Sequence, residues 1–351
     1  MSQKGLENIV DKLLSGVKIE RTEWFRLLTL QESDERSYVQ QRAMEVAQQN
    51  FGKEIFVRGL IEISSYCKNN CNYCGIRCGN RDALRYRLTK EQILDCCRTG
   101  AELGFNTFVL QGGEDVVQND DWVTDVVSAI KNEFPEKAVT LSVGERSADA
   151  YRAFRAAGAD RYLLRHETRN DEHYSLLHPK TMSAANRREC LFTLKELGFQ
   201  TGSGMMIGSP YQTIEHIIDD LMFLEELQPQ MIGIGPFIPA SSTPFKDFSA
   251  GSVELTILIV SLLRLRFPHA LLPATTALAS LHNKGRENAI LAGANVVMPN
   301  LSPSDVRSKY SIYNNKKSSG DESAQQIESL RQSLDAIGYK INFSRGDYNG
   351  K

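Results

Sequence analysis

Eight short β-rich runs alternate with helix-patterned segments along this chain, and that alternation restricts its fold more than any other feature. The runs are GLIEISS from residue 59, TFVLQGG from 107, AVTLSV from 138, DRYLLRHE from 160, QTGSGMMIG from 200, MIGIGPF from 231, LLPATTA from 271 and NVVMPN from 295. Between them, segments such as TKEQILDCCRTGAELG, NRRECLFTLKELG and IEHIIDDLMFLEEL place apolar residues at helical period, and several end in Gly as a helix C-terminus does. This order builds a parallel sheet with helices outside it. Eight repeats favour closure into a TIM-type (β/α)8 barrel, an α/β fold, over an open doubly wound sheet.

Three regions are expected. Residues 1–50 read as helices (NIVDKLLSG, TEWFRLLTL, ERSYVQQRAMEVAQQNF) that cap the main body, residues 51–300 as the barrel, and residues 301–351 as an extension closing it. The extension is polar and turn-rich at first, then helical over IESLRQSLDAIGYKI. A formal charge of -2 and a pI near 6.3 give no electrostatic reason to expect nucleic acid. Apolar runs are short and interrupted, and MSQKGLENIVDKLLSG has no signal-peptide block, so no membrane and a cytoplasmic location are expected. Seven cysteines, an odd number crowded early, argue for reduced thiols over a disulfide framework. Cys96, Cys97 and Cys190 fall in helical patterns and read as inert core residues.

The other cysteines carry the chemistry. Cys67, Cys71 and Cys74, in YCKNNCNYCGIRC, put three thiolates on one short loop at C-x3-C-x2-C spacing. That suits three corners of a cubic iron-sulfur cluster and leaves the fourth iron without a protein ligand. An open iron can hold the amino and carboxylate groups of S-adenosylmethionine and deliver an electron to its sulfonium, whereas a four-cysteine site only shuttles electrons. A structural zinc site is the alternative, with Cys78 as fourth ligand, but zinc sites usually join two separated pairs of ligands. Tyr73 either lies beside a bound adenine or packs under its own loop.

Polar and glycine-rich residues fall at the C-terminal ends of the predicted strands, where a parallel barrel carries its active site. In QGGED, Gly112 and Gly113 permit close backbone approach to a methionine amino group and Glu114 can neutralise it; a glycine-containing turn with an N-capping acid is the plain reading. In RHET, Arg165 and Glu167 alternate and so face one side, either binding something or forming a buried ion pair. Arg187 opens a helix, placed to hold a carboxylate or to lie on the surface. TGSGMMIG offers Met205 and Ile207 as apolar walls for an adenine, or is simply a packing strand. Thr275 and Thr276 present adjacent hydroxyls that can form an anion pocket with Arg165. Tyr310 and Tyr313, three apart on an expected helical turn, either close the cavity mouth or anchor the tail. The six histidines show no ligand spacing.

Together CKNNCNYCGIR, RYRLTKEQI, VLQGGED, GADRYLLRHET, LKELGFQTGSGMMIG, GIGPFIPASSTP, PATTAL and GANVVMPN resemble the radical S-adenosylmethionine superfamily over about residues 15–345. The likeness is greatest to its HydE family of FeFe-hydrogenase maturases, with methylornithine synthase second and biotin synthase more distant. The resemblance implies one 4Fe–4S cluster on Cys67, Cys71 and Cys74, with Tyr73 and the GGED acids beside S-adenosylmethionine, Glu167 on its ribose side and Arg187 on its carboxylate. It also implies Arg165, Thr275 and Thr276 at an anion-binding end of the cavity, and Met231, Tyr310 and Tyr313 near a small-molecule or organometallic substrate. Reduced flavodoxin or ferredoxin is the implied electron donor, and HydG and HydF the implied partners. Two departures stand out: no cysteine follows Cys190, where many HydE chains carry a second cluster, and Cys78 stands just after the motif.

Overall fold

The computed structural model describes residues 3–317 and 322–350. Its strands are β1 (Glu54–Val57), β2 (Gly59–Ser64), β3 (Thr107–Gly112), β4 (Ala138–Ser142), β5 (Arg161–Leu163), β6 (Gln200–Ser203), β7 (Met206–Ile207), β8 (Met231–Ile232), β9 (Gly235–Pro236), β10 (Val296–Val297) and β11 (Lys340–Asn342). β2, β3, β4, β5, β6 and β8 form one parallel sheet in that order. Single parallel bridges continue it from Met231 to Leu271, from Pro273 to Val296 and from Asn300 back to Leu60, which closes the barrel. Each of the eight β-rich runs supplies one stave.

These strands are buried on both faces, so Ile61, Ile63, Phe108, Leu110, Val139 and Leu141 form nearly continuous apolar runs. Burying each such side chain stabilises the fold by about 1.5–3 kcal/mol. Helices return outside the sheet, and many begin at a side chain that accepts from an otherwise unpaired N–H, among them Thr89, Asn119, Ser147, Ser183 and Thr213.

The fifth and sixth staves are each broken in two. Gly204 has φ 151°, and a Cβ there would come within 2.0 Å of the Gly233 carbonyl oxygen. The kink ends β6, shifts the side-chain phase, and starts β7, which pairs with β9 above the main sheet.

The helices Gln3–Leu14, Arg21–Leu28 and Ser33–Phe51 pack on the outer helices Ile214–Leu227 and Val253–Arg266. After the barrel, the chain crosses both ends. Residues 308–317 pass over the C-terminal ends of the staves, where Gly75 N–H donates to Ile312 O at 2.8 Å and Asn314 N–H to Pro239 O at 3.0 Å. β11 then pairs with β1, and the tail crosses the N-terminal ends, where buried Arg161 meets Asp347 at 2.5 Å and Arg345 meets Asp160 at 2.9 Å. The sequence YKI, expected to finish a helix, contributes instead to β11, because the last helix, Ile327–Asp335, stops before Gly338 at φ 77°. Among the described residues no helix is long and apolar enough to cross a membrane.

Candidate active site

A cavity of about 340 Å³ lies at the C-terminal ends of the staves. Tyr73 and Cys74 from the cysteine loop, Gly112, Arg165, Glu167, Arg187, Thr275, Thr276, Tyr310 and Tyr313 all line it. The sequence therefore placed most of its candidates around one space.

The cysteine loop has little regular structure, so its main-chain groups are held by other segments. Lys68 N–H donates to Glu114 O at 2.9 Å, Asn72 N–H to Leu177 O at 2.8 Å, and the Arg85 guanidinium to the carbonyls of Ser65, Ile76, Arg77 and Asn80. Gly113 sits so close beneath that a Cβ would meet Tyr66 O at 2.2 Å and Cys67 Cβ at 2.7 Å. Cys67, Cys71 and Cys74 are half-buried and Cys78 is exposed. Burial pushes the Cys74 thiol up to about 12 and Cys71 well above its ordinary value, and the charge of neighbouring thiolates adds to both. Three thiols share a poorly solvated space that favours thiolate only when a cationic group joins them, which is the donor set an iron-sulfur cluster takes. Among the described residues no three His, Cys, Asp or Glu side chains gather as a single metal ion requires.

Glu114 turns away from the cavity. Its Oε1 accepts from Glu145 N–H at 3.0 Å and its Oε2 lies 3.3 Å from Lys68 Nζ, so it ties the ends of β3 and β4 to the cysteine loop. Its neighbour Asp115 takes Ser64 Oγ at 2.7 Å and both ends of the Arg87 guanidinium at 2.6 and 3.0 Å. Burial alone would raise the Asp115 pKa, but these donors hold it below the usual carboxylate range. Arg187 is buried against Glu145 at 2.7 Å and presents its charge to the cavity. Tyr73 O–H lies 3.1 Å from His178 Nε2, whose basicity burial and nearby Arg187 lower to about 3.

At another part of the wall, Arg165 and Glu167 form the expected ion pair at 3.1 Å, and both border the cavity. Glu167 adopts φ 64°, a strained backbone for this residue. Among the described residues, Arg165 Nε and Thr275 Oγ1 are buried without a hydrogen-bond partner. Thr276 Oγ1 instead donates to Glu322 Oε2 at 2.9 Å, so the two hydroxyls are not equivalent.

Four expectations shift. Met205 and Ile207 point into the main core and Met206 lines the cavity, because the Gly204 kink moves the alternation by one residue. Met231 begins β8 at the N-terminal end and packs with Leu271 and Val296, with Arg58 Nη1 3.2 Å from its sulfur, away from the cavity. Tyr310 and Tyr313 reach the same space from irregular chain, since the short helix Ser304–Arg307 ends before them. Glu114 lies outside the cavity for the reason given above.

The sequence reading missed Glu62, Lys316 and Glu145, and placed Asn300 only among the polar residues at the strand ends. Glu62 is fully buried on β2, accepting from Lys316 Nζ at 2.6 Å and Asn300 Nδ2 at 2.9 Å, and both charged residues border the cavity. One acid inside the apolar run GLIEIS was the available signal.

The profile of the radical SAM superfamily matches residues 61–224. The chain is 43% identical to the FeFe hydrogenase maturase subunit HydE of Thermotoga maritima over 85% of each chain. It is 29% identical to 3-methylornithine synthase of Methanosarcina acetivorans over 96% of this chain and 95% of that one. The crystal structure of methylornithine synthase PylB superposes with a TM-score of 0.85 at 28% identity, covering 95% of this chain and 97% of that one. Cysteine loop, barrel and relatives agree: the chain belongs to the radical S-adenosylmethionine superfamily and, within it, to the HydE family.

Proposed function

We propose that this radical SAM enzyme serves in FeFe-hydrogenase maturation, with Cys67, Cys71 and Cys74 holding one 4Fe–4S cluster. Held by these thiolates, a cluster would supply the one-electron reduction that cleaves S-adenosylmethionine. Tyr73, Gly112 and Arg187 border the cofactor's part of the cavity, and Glu167 offers its carboxylate to a ribose hydroxyl. Arg165 and Thr275 take an anionic group of the substrate. The observation that carries this division is that Cys74 shares one cavity with two buried donors, Arg165 Nε and Thr275 Oγ1, that have no hydrogen-bond partner among the described residues. The strap 308–317 crosses the mouth of that space.

Identity of 43% to a HydE maturase supports the hydrogenase role; the reading extends to a small organometallic substrate, HydG and HydF as cytoplasmic partners, and flavodoxin or ferredoxin as donor. A second reading, rearrangement of a small amino acid, is favoured by the TM-score of 0.85 to methylornithine synthase. Two measurements test these. Anaerobic reconstitution should load about four irons and four sulfides per chain, and reduced protein should release methionine and 5′-deoxyadenosine; a colourless zinc protein refutes the enzyme reading. Addition to a hydrogenase-maturation system lacking HydE should restore active hydrogenase, and failure there with cleavage intact returns the role to amino-acid rearrangement.

A further inference from the structure

His166 stands between Arg165 and Glu167, but its ring lies behind the cavity wall that both neighbours border. Its Nδ1 is 2.9 Å from Ser203 Oγ on β6, and its Nε2 is 3.3 Å from Asp220 Oδ1 on the helix Ile214–Leu227. Phe223 of the same helix meets the ring edge-on at 5.0 Å. Ser203, His166 and Asp220 are all buried. Asp220 Oδ1 already accepts the Arg169 N–H, so it also takes the proton on Nε2, which leaves Nδ1 to accept from the Ser203 hydroxyl.

The segment that this ring anchors is strained. Glu167 has φ 64°, and across it the His166 carbonyl accepts from Thr168 N–H at 2.8 Å, a three-residue turn that a residue other than glycine adopts only where its surroundings enforce it. The turn is pinned on both sides. Glu167 N–H donates to Gly204 O at 3.1 Å, next to Ser203 and at the kink that brings Met206 to the cavity. Thr168 Oγ1 lies 3.1 Å from His173 Nδ1. Relaxation of the Glu167 backbone would swing its side chain off the wall.

We propose that His166 is a positioning residue: with Ser203 and Asp220 it holds the turn at Glu167, and so keeps the Glu167 carboxylate where it meets the ribose of S-adenosylmethionine. The proposal rests on the reading of Glu167 given above. His166 does not line the cavity and acts through its neighbour alone.

The test titrates the reconstituted, reduced full chain with S-adenosylmethionine and follows the electron paramagnetic resonance spectrum of the iron-sulfur cluster, a binding signal that does not depend on turnover. His166→Phe keeps a ring packed on Phe223 but removes both nitrogens, and Asp220→Leu removes the acceptor. Each should raise the half-saturating S-adenosylmethionine concentration by about tenfold, the scale of one charge-assisted hydrogen bond, with iron content unchanged. Asp220→Asn, whose amide oxygen accepts in place of Oδ1, should bind as the unmodified chain does. Glu167→Ala should weaken binding similarly, and adding His166→Phe to it should lower affinity no further, whereas a merely structural histidine would lower it again. Ile218→Ala, a buried change on the same helix, should lower the melting temperature and leave affinity in place. Normal affinity in His166→Phe beside weak binding by Glu167→Ala overturns the proposal and keeps the ribose reading. A further loss in the double variant, or an equal loss in Ile218→Ala, also overturns it. Unchanged affinity in Glu167→Ala refutes the ribose reading, and the proposal with it.

Discussion

The Lys316 ammonium reaches the Glu62 carboxylate at 2.6 Å inside the barrel, joining the strap over the mouth to the first stave. Neither charge is solvated: the Glu62 side chain is fully buried and that of Lys316 is 9% exposed. The Lys316 ammonium also lies 5.5 Å from the Tyr310 ring. Removing one partner strands the other in a poor dielectric, whereas removing both does not. Lys316→Met should therefore destabilise the chain by about 3–5 kcal/mol, and Glu62→Gln with Lys316→Met should recover most of that loss. Denaturant unfolding of the two variants decides it; equal stability of single and double variants would show the pair to be energetically independent.

Cluster loading should separate the four early cysteines. Cys67→Ala, Cys71→Ala and Cys74→Ala should each abolish the iron-sulfur absorbance, because the loop supplies no spare thiol on the cavity side. Cys78→Ala should keep it, since Cys78 is exposed and stands outside the half-buried group of Cys67, Cys71 and Cys74. Bleached Cys78→Ala protein would make Cys78 a ligand.

The barrel and its rim were legible because the evidence for them is periodic: eight staves, glycine breaks, and polar residues where each stave ends. Arg165 and Glu167 were recognisable for the same reason, as two charges in phase at a strand end. Phase fails where the backbone departs from regularity. One left-handed glycine turned the wall from Met205 and Ile207 to Met206. Lys316 was invisible because nothing local distinguishes it from Lys317; it becomes a cavity residue only when 308–317 folds over a stave more than two hundred positions earlier. Glu145 was missed likewise, since its partner Arg187 comes from a later helix.

Acid should weaken the fold through a buried histidine. Burial lowers His173 from its ordinary 6.5 to about 4, with the charge of His216 adding and the bond to Pro210 O opposing. That bond, 3.0 Å from Nε2 to a carbonyl that can only accept, assigns the proton to Nε2 and leaves Nδ1 to accept from Thr168 O–H at 3.1 Å. The folded pKa is depressed, so the unfolded chain takes up a proton that the folded one refuses. Stability from this group is complete above about 6.5 and is lost as pH falls towards about 4, by on the order of 1–3 kcal/mol. His173→Gln should reduce the slope of the stability profile in that window when unfolding is followed against pH, the remaining slope belonging to His178, which burial lowers to about 3. An unchanged slope would assign the acid sensitivity elsewhere.

Thr275 and Thr276 adjoin each other but should fail differently. The Thr275 hydroxyl is buried without a partner among the described residues, so Thr275→Val removes a donor that none of them uses and should leave the melting temperature within about a degree, consistent with loss of an unpaired group. Thr276→Val takes a bond from Glu322, which also holds Arg286, and should destabilise by about 1–2 kcal/mol. Function should divide the other way. If the Thr275 hydroxyl faces an anionic substrate group beside Arg165, Thr275→Val should leave S-adenosylmethionine cleavage intact and reduce hydrogenase maturation by about tenfold, the effect of one charge-assisted hydrogen bond. Thr276→Val should mature hydrogenase nearly normally at temperatures where it remains folded. Full maturation by Thr275→Val would place the substrate's anionic group away from this hydroxyl and leave Arg165 to hold it alone.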